Sequence, residues 1–145
     1  MGLVRFIAAL FSQSVRPNSA SSDPRHQLGV RGEKLAAKFL RRAGYKILYR
    51  NYRPKGGGEV DLVCRDGDTL AFVEVKTRSS GQFGRPGDAV NTKKRELITR
   101  GARSWMHLLD RTDVLARFDV VEVIAGEGCP EITLHKAAFT PETTR

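Results

Sequence analysis

Four ionisable residues stand close together in two short stretches of strand-like pattern: Glu59 and Asp61 in EVDLVC, and Glu74 and Lys76 in FVEVK. Side chains alternate faces along a strand. One face of the first stretch carries Val60, Leu62 and Cys64, and the other carries Glu59, Asp61 and Val63. In the second stretch Val73 and Val75 share a face, and Phe72, Glu74 and Lys76 share the opposite one. The turn between them decides whether the polar faces coincide. Asp66-Gly67 is a two-residue hairpin signal. With that loop Arg65 opposes Asp68, Asp61 opposes Phe72 and Glu59 opposes Glu74, so that Glu59, Asp61, Glu74 and Lys76 project from one face. A three-residue loop would turn Asp61 to the other face.

Like charges directly opposite each other destabilise a strand pair, so such a cluster makes sense around a cation. Mg²⁺ takes oxygen ligands and is usually held by one or two carboxylates together with water and phosphate. Asp61 and Glu74 can supply the carboxylates, and the carbonyl of Val75 a further oxygen. Lys76 points at the same place, where it can orient or deprotonate an attacking water or stabilise charge developing at phosphorus. The competing account of the same pattern is a solvent-facing strand with alternating charge, in which Lys76 simply pairs with Glu74.

The elements that must carry these residues are readable from periodicity. Leu28, Leu35, Phe39, Leu40 and Ala43 recur at helical spacing from about His26, with Lys34, Lys38, Arg41 and Arg42 opposite, and Gly44 ends the helix. Lys46–Asn51 reads as a strand, Pro54 to Gly58 as a loop, Glu59–Arg65 and Asp68–Arg78 as the hairpin, and Ser79–Gly87 as a Gly/Ser-rich loop. A second helix runs from Ala89 to Leu109, with Val90, Leu97, Ile98, Trp105, Leu108 and Leu109 as its apolar stripe. Arg117–Ala125 and Glu131–Lys136 finish as strands around a Gly126–Pro130 turn. The order α-β-β-β-α-β-β predicts an α/β fold, a mixed sheet with helices packed against it.

The 145 residues suit one domain. Residues 1–25 read as a tail, 26–139 as the domain and 140–145 as a short C-terminal tail. With 40% hydrophobic and 28% charged residues, disorder and a membrane protein are both excluded. The longest apolar run, Phe6 to Phe11, is far short of the roughly 20 residues a spanning helix needs, so no stable membrane insertion is expected. That run is also marginal for a secretory signal, with no small-residue cleavage site behind it. The expected location is the cytoplasm. Cys64 and Cys129 form no CxxC pair, and His26, His107 and His135 are scattered, which excludes a zinc finger and a disulfide scaffold. Cys64 reads as a small core residue. The net charge of +9 is concentrated in residues 1–50 and suggests a polyanionic partner, most often nucleic acid. The alternative is a solvated basic surface with no partner.

The string Asp61, then Glu74-Val75-Lys76, flanked by helices, resembles the core of the PD-(D/E)xK nucleases. More narrowly the chain resembles the YraN family of small bacterial proteins. The matching pieces are Leu28-Gly29, Gly32-Glu33 and Ala36; Asn51-Tyr52-Arg53; Gly58 to Val63; Phe72 to Arg78; Val90 to Lys94; and Arg117 to Val120. They span about residues 28–121, in order. The proline that gives the superfamily its "PD" is absent, since Val60 precedes Asp61, but proline ligates no metal.

The resemblance implies a restriction-endonuclease-like or Holliday-junction-resolvase-like core and a Mg²⁺- or Mn²⁺-dependent endonuclease site for DNA, branched or damaged DNA included. Asp61, Glu74 and Lys76 match the catalytic set. Glu33, on the first helix, matches the carboxylate that completes the metal cluster with Asp61, Glu74 and Val75; otherwise Glu33 is a helix N-terminal charge favoured by the dipole. Lys94 lies four residues from both Val90 and Ile98, on the inward stripe, where it either contacts phosphate or snorkels. Arg53 and Arg78 can grip phosphates. DNA is a better fit than RNA, and a symmetric branched substrate would call for a homodimer. Fold membership does not establish activity. Two other readings stay open: a non-catalytic nucleic-acid-binding protein on the same fold, and an interaction domain whose charged hairpin docks a protein.

Overall fold

A computed structural model describes residues 23–79, 90–111 and 113–141. The apolar run Phe6–Phe11 and nearly all of the Ser79–Gly87 loop lie outside those residues. The elements are α1 (Pro24–Arg42), β1 (Lys46–Tyr52), β2 (Val60–Asp66), β3 (Thr69–Ser79), α2 (Thr92–Leu109), β4 (Leu115–Ala125) and β5 (Glu131–Phe139). They form the expected α/β fold with the expected order. One five-stranded sheet runs β1-β2-β3-β4-β5. Only the β3–β4 pair is parallel, as befits the two strands joined through α2, and the others are antiparallel.

Each helix covers its own core. Ala36, Ala37 and Leu40 of α1 pack with Leu62, Cys64, Ala71, Val73, Val121 and Val123. Ile98, Ala102 and Trp105 of α2 pack with Val63, Phe72, Phe118 and Val120. The alternation along β2, β3 and β4 therefore feeds two apolar layers, one on each side of the sheet. Among the described residues no helix is long and apolar enough to cross a membrane. Cys64 is fully buried and its thiol is pushed up to about 12, by burial first and then by the Asp119 charge. That is a packing cysteine, inert as a nucleophile.

Several local details depart from the sequence reading: α2 begins at Thr92 behind an Asn91 cap rather than at Ala89, β4 begins at Leu115, β5 runs on to Phe139, and Leu108 of the expected α2 stripe is exposed. Helix α1 begins at Pro24, two residues before His26, because Asp23 caps it by accepting from Arg25 N at 3.0 Å. Its buried stripe is Gly32, Ala36, Ala37 and Leu40 rather than the larger apolar residues; Leu28, Leu35 and Phe39 are only half-buried and Ala43 is exposed. Small residues let α1 come close to β3, and a Cβ at Gly32 would collide with the Thr77 side chain. The hairpin turn is Gly67-Asp68, with Asp66 opposite Thr69, Val63 opposite Phe72 and Leu62 opposite Val73. The register has moved by two residues relative to expectation, an even step that keeps every side chain on its predicted face. Asp61, not Glu59, then falls level with Glu74. The C-terminal end of α1 is as expected: Gly44 has φ 94°, Gly44 N donates to Arg41 O and Tyr45 N to Leu40 O, a Schellman closure.

Candidate active site

The site lies where β3 runs out past the apolar layers. On the α2 side of β3, Leu70 and Phe72 belong to the core, and Glu74 is the next residue on that face. A cavity of about 640 Å³ opens there. The first turns of α1 (Arg25, Leu28, Gly29), Glu33, the β3 residues Glu74 to Thr77, and Asn91 and Lys94 at the start of α2 line it. Both helix N-termini thus face one opening, and their dipoles favour negative charge in it.

Asp61 and Glu74 are both buried, at 7% and 6% exposure. Asp61 Oδ2 accepts from Val75 N at 2.9 Å, so the aspartate is tied to the backbone beside Glu74. Glu74 hydrogen-bonds Asp61, and its pKa is raised to about 9, first by burial and then by the Asp61 charge, with Lys94 pulling the other way. Burial and the neighbouring charge favour the protonated form of Glu74, which can donate to Asp61. Glu74 Oε2 is buried with no hydrogen-bond partner.

Lys94 Nζ stands 3.5 Å from Glu74 Oε1 and 3.6 Å from Glu59 Oε2. Burial works against its charge, but Glu74, Asp61 and Glu59 outweigh it and hold the ammonium above its ordinary value. Glu59 is delivered by close packing. Glu59 N donates to Leu97 O at 3.0 Å, and Gly58, at φ 106°, sits against the backbone of Gly101. A Cβ at Gly101 would stand 2.8 Å from Val60 Cγ2 and 3.2 Å from Glu59 N. A glycine in the middle of a helix therefore marks the docking point of the Gly56–Gly58 loop.

Glu33 lines the cavity from α1. Its carboxyl is raised above the ordinary value by burial and by Asp61, and a hydrogen bond with Asn51 partly offsets this. Asn51 adopts φ 52° at the end of β1, a left-handed conformation that asparagine tolerates. Lys76 lines the cavity and is exposed. Arg53 is exposed and paired with Glu59 at 3.1 Å. Arg78, two residues beyond Lys76, is half-buried and does not line the cavity. Glu74, Val75, Lys76, Lys94 and Glu33 line one space, with Asp61 buried beside Glu74 and tied to Val75 N; Arg53 and Arg78 do not line it. The sequence reading places Glu59 on the polar face of the hairpin but gives no role to Asn51, Gly32, Gly58 or Gly101; the αL-tolerant Asn51 and the mid-helix Gly101 carry the sequence signals for two of them.

Among the described residues no three His, Cys, Asp or Glu side chains stand close enough to hold a metal ion by themselves. The donor set nonetheless fits a hard divalent cation. Glu74, with an orphaned buried oxygen, lines a cavity with room for water and phosphate, and the Asp61 carboxylate stands beside it; one or two carboxylates with water and phosphate is how Mg²⁺ is usually held.

The model of the Uncharacterised protein family UPF0102 matches residues 32–123. A UPF0102 protein of Geobacter metallireducens is 47% identical over 112 residues, 77% of this chain and 91% of its own length. One from Geobacter sulfurreducens is 51% identical over 113 residues (77% and 88%), and one from Nocardia farcinica 48% identical over 113 (77% and 88%).

Proposed function

The chain belongs to the UPF0102 family, the YraN family, and on that premise we propose that it is a Mg²⁺- or Mn²⁺-dependent endonuclease hydrolysing DNA phosphodiesters. The observation that carries this reading is the buried Glu74, with its unpartnered oxygen and Asp61 beside it, in the wall of a cavity that Arg25, Lys76 and Lys94 also line. Strongly perturbed carboxyls cluster at functional sites, and burial and the Asp61 charge push Glu74 up to about 9.

A divalent cation held by Asp61 and Glu74 would polarise the scissile phosphate and acidify a bound water. The chain's own residues supply the rest. To hold the cation Glu74 would have to be ionised, so loading would strengthen with pH. Val75 contributes its backbone, the N–H fixing Asp61. Lys76, on the wall beside Glu74, orients the attacking water or offsets charge at phosphorus. Lys94 and the two helix N-termini take the flanking phosphates. Glu33, hydrogen-bonded to Asn51, reaches the site through water.

The test is incubation of the full chain with labelled single-stranded, duplex, flapped and four-way-junction DNA in Mn²⁺ or Mg²⁺, beside Glu74→Gln. Metal-dependent cleavage by the wild type and not by the variant is the expected result. Binding that survives the substitution, with no cleavage by either protein, would replace this reading with a non-catalytic nucleic-acid-binding function.

A further inference from the structure

The site's lysine has a neighbour that the mechanism above does not use. In the parallel β3–β4 ladder Lys76 lies directly beside Glu122. Side chains of such partners emerge on the same face, so Glu122 shares the face of Lys76 and Glu74. On β4 it follows Val120 of the α2-side core, as Glu74 follows Phe72 on β3. The Glu122 side chain is only 13% exposed. Its Oε1 is buried without a hydrogen-bond partner, and its Oε2 is 3.5 Å from His135 Nε2 on β5. Among the described residues Lys76 has no ion-pair partner. A carboxylate oxygen left unsatisfied under a lysine one strand away is a costly arrangement unless the two meet.

We propose that Glu122 is a positioning residue for Lys76: it anchors the ammonium between itself and Glu74. The proposal rests on the hydrolytic reading for its purpose and on the ladder for its geometry. Glu74 alone, two residues back on the same strand, draws Lys76 toward the bound cation, where like charges repel. A second carboxylate on the next strand holds the ammonium beside the reacting phosphate instead.

Two measurements on the full chain test it. The first is a thermal cycle of Lys76→Met, Glu122→Gln and the double variant, without metal or DNA. Lys76→Met is expected to lower the midpoint by a few degrees by stranding the carboxylate, and adding Glu122→Gln to recover most of that loss. Shifts that simply add would show that the two do not meet and would overturn the proposal. The second is cleavage kinetics. Glu122→Gln should lower kcat about 10- to 100-fold while leaving KM for DNA and Mn²⁺ affinity unchanged, and Glu122→Asp should restore part of it. Coupling in the cycle with an unchanged kcat would make the pair merely structural, which also overturns the proposal. A wild type that cleaves nothing would overturn the hydrolytic reading, and the cycle would still decide whether Glu122 holds Lys76.

Discussion

Asp119 and Glu74 are buried carboxyls on neighbouring strands, facing opposite sides of the sheet, and their surroundings differ in kind. Asp119 is fully buried and fully satisfied. Tyr45 OH donates to it at 3.0 Å, Arg117 at 2.7 and 2.9 Å, and Ala137 N at 2.9 Å. Arg117 continues to Asp66 at 2.8 Å, where Lys136 joins at 3.1 Å. Every charge has a partner: Asp66 is held below the ordinary carboxylate range by its bonds to Arg117 and Lys136, and burial and the Asp119 charge push the Tyr45 phenol up. Glu74 has an orphaned oxygen, a carboxyl neighbour and an open cavity. A saturated network fixes structure; an unsaturated one at an opening keeps coordination capacity in reserve.

The sharpest way to break this contrast is to empty each side in turn. Asp119→Ala should cost about 3–5 kcal/mol of unfolding free energy, because it strands the Arg117 charge and the Tyr45 hydroxyl together. Urea denaturation measures it, and a loss under 1 kcal/mol would mean the network is not structural. Glu74→Gln should do the reverse near neutral pH. In the folded chain burial and the Asp61 charge push the Glu74 carboxyl up to about 9, against an ordinary value of 4.5. Between those values the native state holds the extra proton, so stability attributable to Glu74 is present at low pH and lost as pH rises toward 9. Glutamine removes that loss. The variant's advantage over wild type should therefore grow from pH 5 to pH 9, with a slope of at most about 1.4 kcal/mol per unit. A gap that stays flat across the range would show that Glu74 is not raised.

Next in size is the placement of the cavity wall. Gly32→Ala puts a methyl group into Thr77, so α1 must lift from β3. Overpacking of this kind costs about 1–3 kcal/mol. Because Glu33 is the next residue, metal-induced stabilisation should weaken beyond what the fold loses. Comparing the midpoint with and without Mn²⁺ separates the two. An unchanged Mn²⁺ shift would show that Glu33 needs no such close approach.

The contrast also bears on how far the sequence is legible. Alternation in 60–66 and 69–79 determines which side chains share a face, and the two-residue register shift leaves that intact. The Gly44 stop is a local backbone requirement and reads directly. Asp23-Pro24 carries an N-cap signal, but it sits at the end of a Ser/Pro-rich run that reads as linker. The inward stripe through Lys94 follows from helical period alone, whereas the contact of Lys94 with both Glu59 and Glu74 depends on the Gly58–Gly101 approach. That approach joins segments 43 residues apart, and no local pattern encodes it. The small-residue stripe of α1 is hard to see for a related reason: apolar periodicity favours large residues, while close helix–sheet packing selects small ones.

The smallest expected effect tests the rim. Arg53 is exposed and pairs with Glu59, which Lys94 also contacts. A surface pair of this kind contributes about 0–1 kcal/mol, so Arg53→Ala should barely move the unfolding midpoint. If the rim instead serves a polyanion, the loss should appear in DNA binding, where removing one phosphate contact lowers the slope of log K against log salt by roughly 0.9 for duplex DNA. Lys94→Ala should lower the same slope and also release Glu74 from the Lys94 charge that opposes its rise, raising its carboxyl further. Fluorescence anisotropy across a salt series resolves both. An Arg53→Ala slope equal to wild type would confine phosphate recognition to the cavity wall, and a fall equal to that of Lys94→Ala would extend the DNA footprint out to β1.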